Sequence, residues 1–133
     1  MSKDRVFLDA NVLFSIAYGS RGLMEFWERQ RAGRLTLLAS PYVIEEARRN
    51  LREPRQQPQL QSLLAELEIV PDSAGGPLPG EGLAAKDSPV IWAAVVAHAT
   101  HLVTGDQRHF GPYMGASILG VRICSPASYL SGP

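Results

Sequence analysis

Short runs of apolar and β-branched residues, bounded by polar residues, glycine or proline, divide the chain into predicted strands. The runs at residues 6–8 and 35–39 do not alternate between apolar and polar side chains, which is typical of strands buried on both faces of a sheet. Weaker runs follow, and Gly120 weakens the last of them. The five predicted strands cover residues 6–8, 35–39, 68–71, 101–104 and 118–124.

The segments between these strands have the composition of helices. Ser40 before Pro41 is a favourable helix start, because serine caps the first turn and proline fits its first position. Asp87, Ser88 and Pro89 open a strongly apolar helix in the same way. The predicted helices cover residues 11–18, 23–31, 42–51, 59–67 and 90–100, and the four glycines and two prolines of residues 73–82 predict a loop.

Strands that alternate with helices predict an α/β fold. We expect a three-layer sandwich with a mostly parallel five-stranded sheet and helices on both of its faces. The 133 residues suffice for one such domain, spanning residues 1–133, and are too few for two.

Composition limits the cellular compartments in which the protein is expected but does not identify its binding partner. Lysine plus arginine and aspartate plus glutamate each number 13, so any attraction to nucleic acid needs local clusters of basic residues. Cys124 is the single cysteine and cannot form an intrachain disulfide. The first residues lack a signal-peptide pattern, and the longest apolar run, residues 90–97, is too short to span a membrane. We therefore expect a cytoplasmic protein.

Acidic residues follow two of the predicted strands at the point where each strand ends. Asp9 comes after the first strand and Asp106 after the fourth. Because functional residues of parallel sheets gather at the carboxyl ends of the strands, we expect these two side chains to lie close together. Asp87 starts the helix that precedes the fourth strand, and it reaches the same edge if the loop at residues 73–82 returns there.

Two glutamates lie in the first turns of the helix that follows the second strand, and this helix begins at the same edge of the sheet. At about 100° per residue, Glu46 lies at the border of the apolar face of the helix. Glu45 lies nearer the opposite side, where Arg48 and Arg49 can pair with it. We therefore predict that Glu46 belongs to the site and that Glu45 forms a solvated ion pair.

Carboxylates that are packed together repel one another, and such a cluster persists when a positive charge neutralises it. A hard divalent cation prefers oxygen ligands, so Mg²⁺ or Mn²⁺ is the expected cofactor. Such ions generate hydroxide and hold a phosphodiester for in-line attack. Each aspartate also has a structural interpretation, since Asp9 and Asp87 can cap helices and Asp106 can be a turn residue. Asn11 can cap its own helix or orient Asp9.

Four segments of the chain resemble the motifs of PIN domains, in the order of that family and over nearly the whole length. These segments are residues 6–13, 40–51, 87–90 and 103–110. The resemblance assigns catalysis and metal binding to four carboxylates, Asp9, Glu46, Asp87 and Asp106. Thr104 matches the threonine or serine that precedes the last aspartate in the family, and there it helps to position a water molecule or a metal ligand.

The resemblance implies a Rossmann-like sandwich, cleavage of single-stranded or loop RNA with Mg²⁺ or Mn²⁺, and frequently a homodimer. Small stand-alone members are often VapC-like toxins, which an antitoxin silences by inserting a segment near the active site. We therefore expect a metal-dependent endoribonuclease that is the toxin of a toxin–antitoxin pair. Many members carry a further carboxylate where this chain has Gln107, Arg108 and His109. A second metal ion would thus be held weakly or not at all, and a non-catalytic RNA- or protein-binding module is the alternative.

Arginines cluster on the helix of Glu46 and just beyond it. Arg48, Arg49 and Arg52 have two interpretations, a track for the RNA backbone or a solvated face with ion pairs. The sequence has no stripe of aromatic residues interleaved with basic ones, so it does not predict base stacking. We expect His109 to pack beside Phe110 rather than to reach phosphate.

Overall fold

A mostly parallel, six-stranded sheet forms the centre of the protein. The computed structural model describes residues 3–78 and 88–132. The strands lie side by side in the order β3-β2-β1-β4-β6-β5. They are β1 (Asp4–Leu8), β2 (Leu35–Ala39), β3 (Glu68–Ile69), β4 (His101–Val103), β5 (Ser117–Ile118) and β6 (Val121–Cys124).

Seven α-helices connect and cover these strands in the described part of the chain. None of them is long and apolar enough to cross a membrane. They are α1 (Ala10–Ala17), α2 (Met24–Arg31), α3 (Pro41–Asn50), α4 (Gln56–Leu64), α5 (Ser88–Val96), α6 (Gln107–Phe110) and α7 (Pro126–Ser131). The sequence predicted the first five of them and missed the two short helices near the end.

The order of the strands reverses beside β1. From β1 the chain adds β2 and then β3 on one side, and it returns to the other side of β1 for β4. Both neighbours pair with β1 in parallel, so the carboxyl ends of β1 and β4 meet at one edge. Open α/β sheets bind ligands at such a reversal, outside the carboxyl ends of the strands.

The core lies on both faces of the sheet. Val6, Phe7 and Leu8 are consecutive residues of β1, and each has 0% exposed surface. Successive side chains of a strand point to opposite faces, so burial of all three requires cover on both faces. The predicted three-layer α/β arrangement is thereby confirmed.

Two local features concern the helices, namely how α3 begins and how α2 contacts α4. Ser40 precedes α3 in an extended conformation and Pro41 occupies its first turn, as the sequence predicted, although the Ser40 side chain makes no capping hydrogen bond. Trp27 in α2 is fully buried, and its indole Nε1 donates to the carbonyl of Leu63 in α4 over 3.1 Å. This bond ties α2 to α4 through the core.

The last part of the sheet differs from the prediction. Residues 118–124, predicted as one strand, belong to a β-hairpin with β5 and β6 as its antiparallel arms, so the sheet has six strands and not five. Leu119 and Gly120 connect the arms with φ values of +50° and +87°. Two successive positive φ values are typical of a type I′ turn, whose twist matches that of paired strands. The prediction was wrong because Gly120 reverses the chain.

Candidate active site

A pocket of about 470 Å³ opens beside the edge at which β1 and β4 end. Three of the predicted site carboxylates line it, and they come from separate elements. Asp9 follows β1, Glu46 lies in α3 and Asp106 follows β4. The structure therefore brings together three acidic residues that are far apart in the sequence.

Asp9 is buried at the first turn of α1, with 6% of its surface exposed. Its Oδ1 accepts a hydrogen bond from the backbone N–H of Ala10 at 2.8 Å, so the predicted helix cap is present. Its Oδ2 accepts hydrogen bonds from the Thr104 hydroxyl at 2.9 Å and the Asn11 amide at 3.2 Å. The carboxylate is thus fixed on both oxygens.

The electrostatic surroundings of Asp9 couple it to the other two carboxylates. Burial raises the pKa of Asp9 from 3.8 to about 6, against the opposing effect of the hydrogen bonds from Ala10 and Thr104. The negative charges of Glu46 and Asp106 raise this pKa further. Asp9 therefore binds a proton more readily than an ordinary aspartate, because its charge is poorly solvated and lies near like charges.

Thr104 connects Asp9 to the fourth strand. Its side chain is fully buried, and its hydroxyl donates to Asp9 while accepting from the Asn11 amide and from the backbone N–H of Asp106, both at 3.1 Å. A hydroxyl has one donor and two acceptor sites, so this one is fully used. The predicted supporting role of Thr104 thus has a definite geometry: it holds Asp9 and the segment of Asp106 together.

Asn11 completes the same network. Its amide donates to Asp9 and Thr104, and its Oδ1 accepts from the backbone N–H of Gly105 at 2.7 Å. Of the two predicted roles of Asn11, the structure shows the orientation of Asp9. A Cβ at Gly105 would lie 3.3 Å from Oδ1 of Asn11, so a larger residue there would press on the amide that holds Asp9.

Asp106 caps α6 and is bound by a residue one turn further on. Its Oδ1 accepts from the backbone N–H of His109 at 3.1 Å, and its Oδ2 lies 2.5 Å from Nδ1 of the His109 ring. Burial pushes the pKa of Asp106 upwards, but the hydrogen bonds and charge of His109 outweigh this effect and hold the pKa below its ordinary value. His109 is therefore a partner of a site carboxylate, which the sequence did not predict.

The two neighbouring glutamates of α3 face different surroundings. Glu46 is partly buried and lines the pocket, whereas Glu45 is exposed and lies in a second groove with Arg48. The helical spacing had separated them in this way. The predicted ion pair is wrong, since Glu45 forms no salt bridge with Arg48 or Arg49 in the described part of the chain. Arg48 donates instead to Oε1 of Gln61 over 2.5 Å.

The predicted arginine track reaches the pocket at one point. Arg52 lines the pocket with the carboxylates. Arg48 lies in the groove between α3 and α4. Arg49 is exposed and lines neither this groove nor the pocket of the carboxylates. A role in RNA binding stays a prediction for all three, and the structure gives Arg52 the most direct position for it.

The fourth predicted carboxylate, Asp87, lies outside the described residues, so its metal-binding and capping roles stay predictions. Among the described residues, no group of three or more histidine, cysteine, aspartate or glutamate side chains is arranged to hold a metal ion. Asp9 is bound by Thr104 and Ala10, and Asp106 is bound by His109. The metal-ligand roles of these carboxylates therefore also stay predictions.

Several residues that line the pocket were missed by sequence reasoning. They share helical spacing with residues that were found. Phe14 follows Asn11 by one turn on α1, and Tyr18 directly after α1 lies one turn further. Tyr42 and Asn50 lie one turn before and after Glu46 on α3. The same spacing that identified Glu46 could have marked them.

Comparison with known proteins supports the fold. No family model and no curated protein sequence matches the chain. Among solved structures, it is similar to a chain of the crystal structure described as VapBC2 from Rickettsia felis bound to a DNA fragment from their promoter. The TM-score is 0.62 and the identity 19%, over 91% of this chain and 98% of that chain. At this identity the likeness shows the fold alone, and that fold is the predicted α/β sandwich.

Proposed function

We propose that the protein is a metal-dependent endoribonuclease that hydrolyses RNA phosphodiesters. The observation that carries the proposal is the meeting of Asp9, Glu46 and Asp106 in one pocket at the reversal of the strand order. Three negative charges around one cavity cost free energy unless a positive ligand neutralises them. Capping and turn roles account for Asp9 and Asp106 singly, but they do not require Glu46 to face the same cavity.

The chemistry of the donors fits Mg²⁺ or Mn²⁺, both of which prefer carboxylate oxygens. Asp9, Glu46 and Asp106 would hold the cation once their side chains turn toward it, because no group of three such side chains among the described residues is already arranged for a metal ion. Asp87 is a fourth candidate. Asp9 supports the fit, because a buried carboxylate whose pKa is raised to about 6 gains strongly from a nearby positive charge. When bound, such a cation lowers the pKa of a water molecule and neutralises the charge of a phosphodiester.

Residues of the chain itself prepare the site for this ligand. Thr104 and Asn11 fix Oδ2 of Asp9, so the carboxylate does not have to reorganise when a substrate binds. Ligation by Asp106 requires it to exchange its contact with His109. Arg52 places a positive charge in the pocket, where it would attract the phosphates of RNA.

Cleavage of a labelled RNA by the purified protein tests the proposal. We expect cleavage in Mg²⁺ or Mn²⁺, its loss in EDTA, and a loss of about 100-fold or more in Asp9→Asn and Glu46→Gln. Glu45→Gln is the matched control, because it removes the same charge from the exposed side of α3 and should cleave like wild type. Cleavage that EDTA does not diminish, or equal losses in Glu45→Gln and Glu46→Gln, would contradict the proposal.

The finer proposal is that this ribonuclease is the toxin of a toxin–antitoxin pair, with an antitoxin protein and a second copy of the chain as partners. Its sequence resemblance to VapC-like toxins and its shared fold with a chain of the VapBC2 structure support this. We expect induced expression to arrest bacterial growth and Asp9→Asn at the same protein level to leave growth normal. Normal growth of cells that contain active wild-type enzyme would contradict the toxin proposal but not the ribonuclease proposal.

A non-catalytic RNA- or protein-binding module is the second candidate. Gln107, Arg108 and His109 stand where many PIN domains carry a further carboxylate, and His109 binds the carboxylate of Asp106. RNA binding without turnover in either metal would favour this candidate over the enzyme.

A further inference from the structure

Two tyrosines expose large rings in the pocket that holds the carboxylates. Tyr18, directly after α1, is 50% exposed, and Tyr42, in the first turn of α3, is 38% exposed. Among the described residues, the exposed large hydrophobic side chains include these two aromatic ones, and both line the pocket with Asp9 and Glu46. Exposed apolar surface that is concentrated beside a polar site is typical of a ligand-binding surface.

Both rings are attached to ordered parts of the fold. The ring of Phe14, one helical turn earlier, packs against Tyr18 with centroids 4.6 Å apart and an angle of 45° between the planes. The backbone N–H of Tyr42 donates to Oδ1 of Asp72 at 2.8 Å, which fixes the start of α3. The ring of Tyr18 is thus held against Phe14, and the backbone that carries the ring of Tyr42 is fixed.

The positions of the rings relative to the carboxylates indicate the shape of the ligand. Tyr42 lies one turn before Glu46 on α3, about 6 Å along the helix axis. Tyr18 lies nine residues after Asp9, about 13 Å along α1. Aromatic faces thus lie both beside the acidic cluster and some distance from it, as suits an extended ligand that alternates flat groups with phosphates.

Two polar side chains that can bind a nucleotide line the same pocket. Asn50 lines the pocket one turn after Glu46, and its Nδ2 donates to the backbone carbonyl of Glu46 at 3.0 Å. Its Oδ1 takes part in no hydrogen bond within the described residues and is available to a donor on a base. Arg52 adds a positive charge for the backbone of the same ligand.

We propose that Tyr18 and Tyr42 stack on unpaired nucleobases that flank the phosphate held at the carboxylates. The inference rests on the proposed ribonuclease function and names how that site chooses its substrate. Base stacking on aromatic rings tolerates any sequence, because every base has a flat face. Bases within a duplex are already paired and stacked, so the two tyrosines select RNA that is single-stranded at this point.

Binding of short RNA probes tests the proposal without cleavage. We would measure the Kd of a fluorescein-labelled single-stranded RNA of ten nucleotides, and of its blunt duplex, by anisotropy with Ca²⁺ in place of Mg²⁺ or Mn²⁺, because Ca²⁺ also binds carboxylate oxygens. Tyr18→Ala and Tyr42→Ala should each weaken binding of the single strand by about 5- to 150-fold. Tyr18→Phe and Tyr42→Phe keep the rings and should bind like wild type, as should the control Val96→Ala, which removes an exposed side chain outside the pocket.

A double-mutant cycle between ring and base separates stacking from a structural role. In single strands with one abasic nucleotide at each position in turn, wild type should lose affinity at one or two positions. At such a position, the matching tyrosine-to-alanine variant should lose nothing more, because the interaction is already absent. Alanine variants that bind the intact single strand like wild type, or that weaken every abasic probe by the same further factor, would overturn the proposal.

Cleavage kinetics distinguish failure of this proposal from failure of the ribonuclease. Loss of stacking that is equally strong in the bound substrate and in the transition state raises KM and leaves kcat unchanged, so we expect this split for both alanine variants in Mn²⁺. If wild type binds RNA through the tyrosines but cleaves none, the ribonuclease proposal is contradicted and the stacking proposal is supported. Wild type that cleaves, with alanine variants of unchanged KM, would refute the stacking and leave the enzyme.

Discussion

The substitution Asp9→Asn gives a quantitative test of how the pocket treats a buried charge. The folded chain raises the pKa of Asp9 from 3.8 to about 6, chiefly through burial, while the unfolded chain leaves it near its ordinary value. Asp9 therefore binds a proton more tightly in the folded state. Its contribution to stability is fully present below pH 3.8 and is lost as the pH rises through about 6.

The magnitude follows from the two pKa values. Their difference of about 2.2 corresponds to about 3 kcal/mol of stability lost between low and neutral pH. About 2 kcal/mol of this falls between pH 4.5 and 7.5, a range in which most small domains stay folded. Asparagine has no charge to desolvate, so the variant should lack this part of the pH dependence.

Urea unfolding in EDTA at several pH values between 4.5 and 7.5 measures the effect. We expect the unfolding free energy of wild type, relative to Asp9→Asn, to fall by about 2 kcal/mol over this range. Hydrogen bonds that Asp9→Asn loses change its unfolding free energy by the same amount at every pH, so they do not alter the slope of the difference against pH. Glu45→Gln, which removes an exposed carboxylate from α3, should give a profile parallel to wild type. A difference between wild type and Asp9→Asn that does not change with pH would contradict a raised pKa of Asp9 in the folded state.

Three further substitutions test the local structure. Thr104→Val keeps the methyl group of threonine but removes the hydroxyl that binds Asp9, and it should destabilise the protein by about 1–3 kcal/mol in urea. Thr104→Ser keeps the hydroxyl and should lose less than half of that. A Thr104→Val variant as stable as wild type would contradict this role of the hydroxyl. Leu119→Asn should stabilise the protein by about 0.5–1 kcal/mol, because asparagine tolerates the positive φ at this position better than leucine does. A thermal midpoint below that of wild type would contradict the type I′ turn. Trp27→Phe should cost about 1–3 kcal/mol, since it leaves a gap in the core and removes one of two donors to the Leu63 carbonyl, which also accepts from the backbone N–H of Glu66. An unchanged urea midpoint would contradict this contact between α2 and α4.

Much of the fold and part of the site could be predicted because local pattern and topology agree. Apolar runs that end in Asp9 and Asp106 are visible in the sequence, and parallel strands bring their ends to one edge. The helical period then separates Glu46 from Glu45 without any tertiary information. These predictions need only the direction of a strand or the angle around one helix.

What the sequence did not predict depends on contacts between elements or on single backbone angles. The turn at Leu119 needs a positive φ at leucine, which that residue type does not indicate. Arg48 bonds to Gln61 of the neighbouring helix rather than to Glu45 of its own. Tyr18 and Tyr42 lie on different helices and share a pocket only after folding, so no aromatic stripe is visible in the sequence.

Titration with Mn²⁺, followed by the electron paramagnetic resonance signal of the free ion, tests most directly whether the gathered carboxylates hold a divalent cation. We expect wild type and Glu45→Gln to bind Mn²⁺ alike, and Asp9→Asn and Glu46→Gln to bind it at least about tenfold more weakly. Absence of binding in wild type, or equal affinity in Glu45→Gln and Glu46→Gln, would contradict a cation site at this pocket.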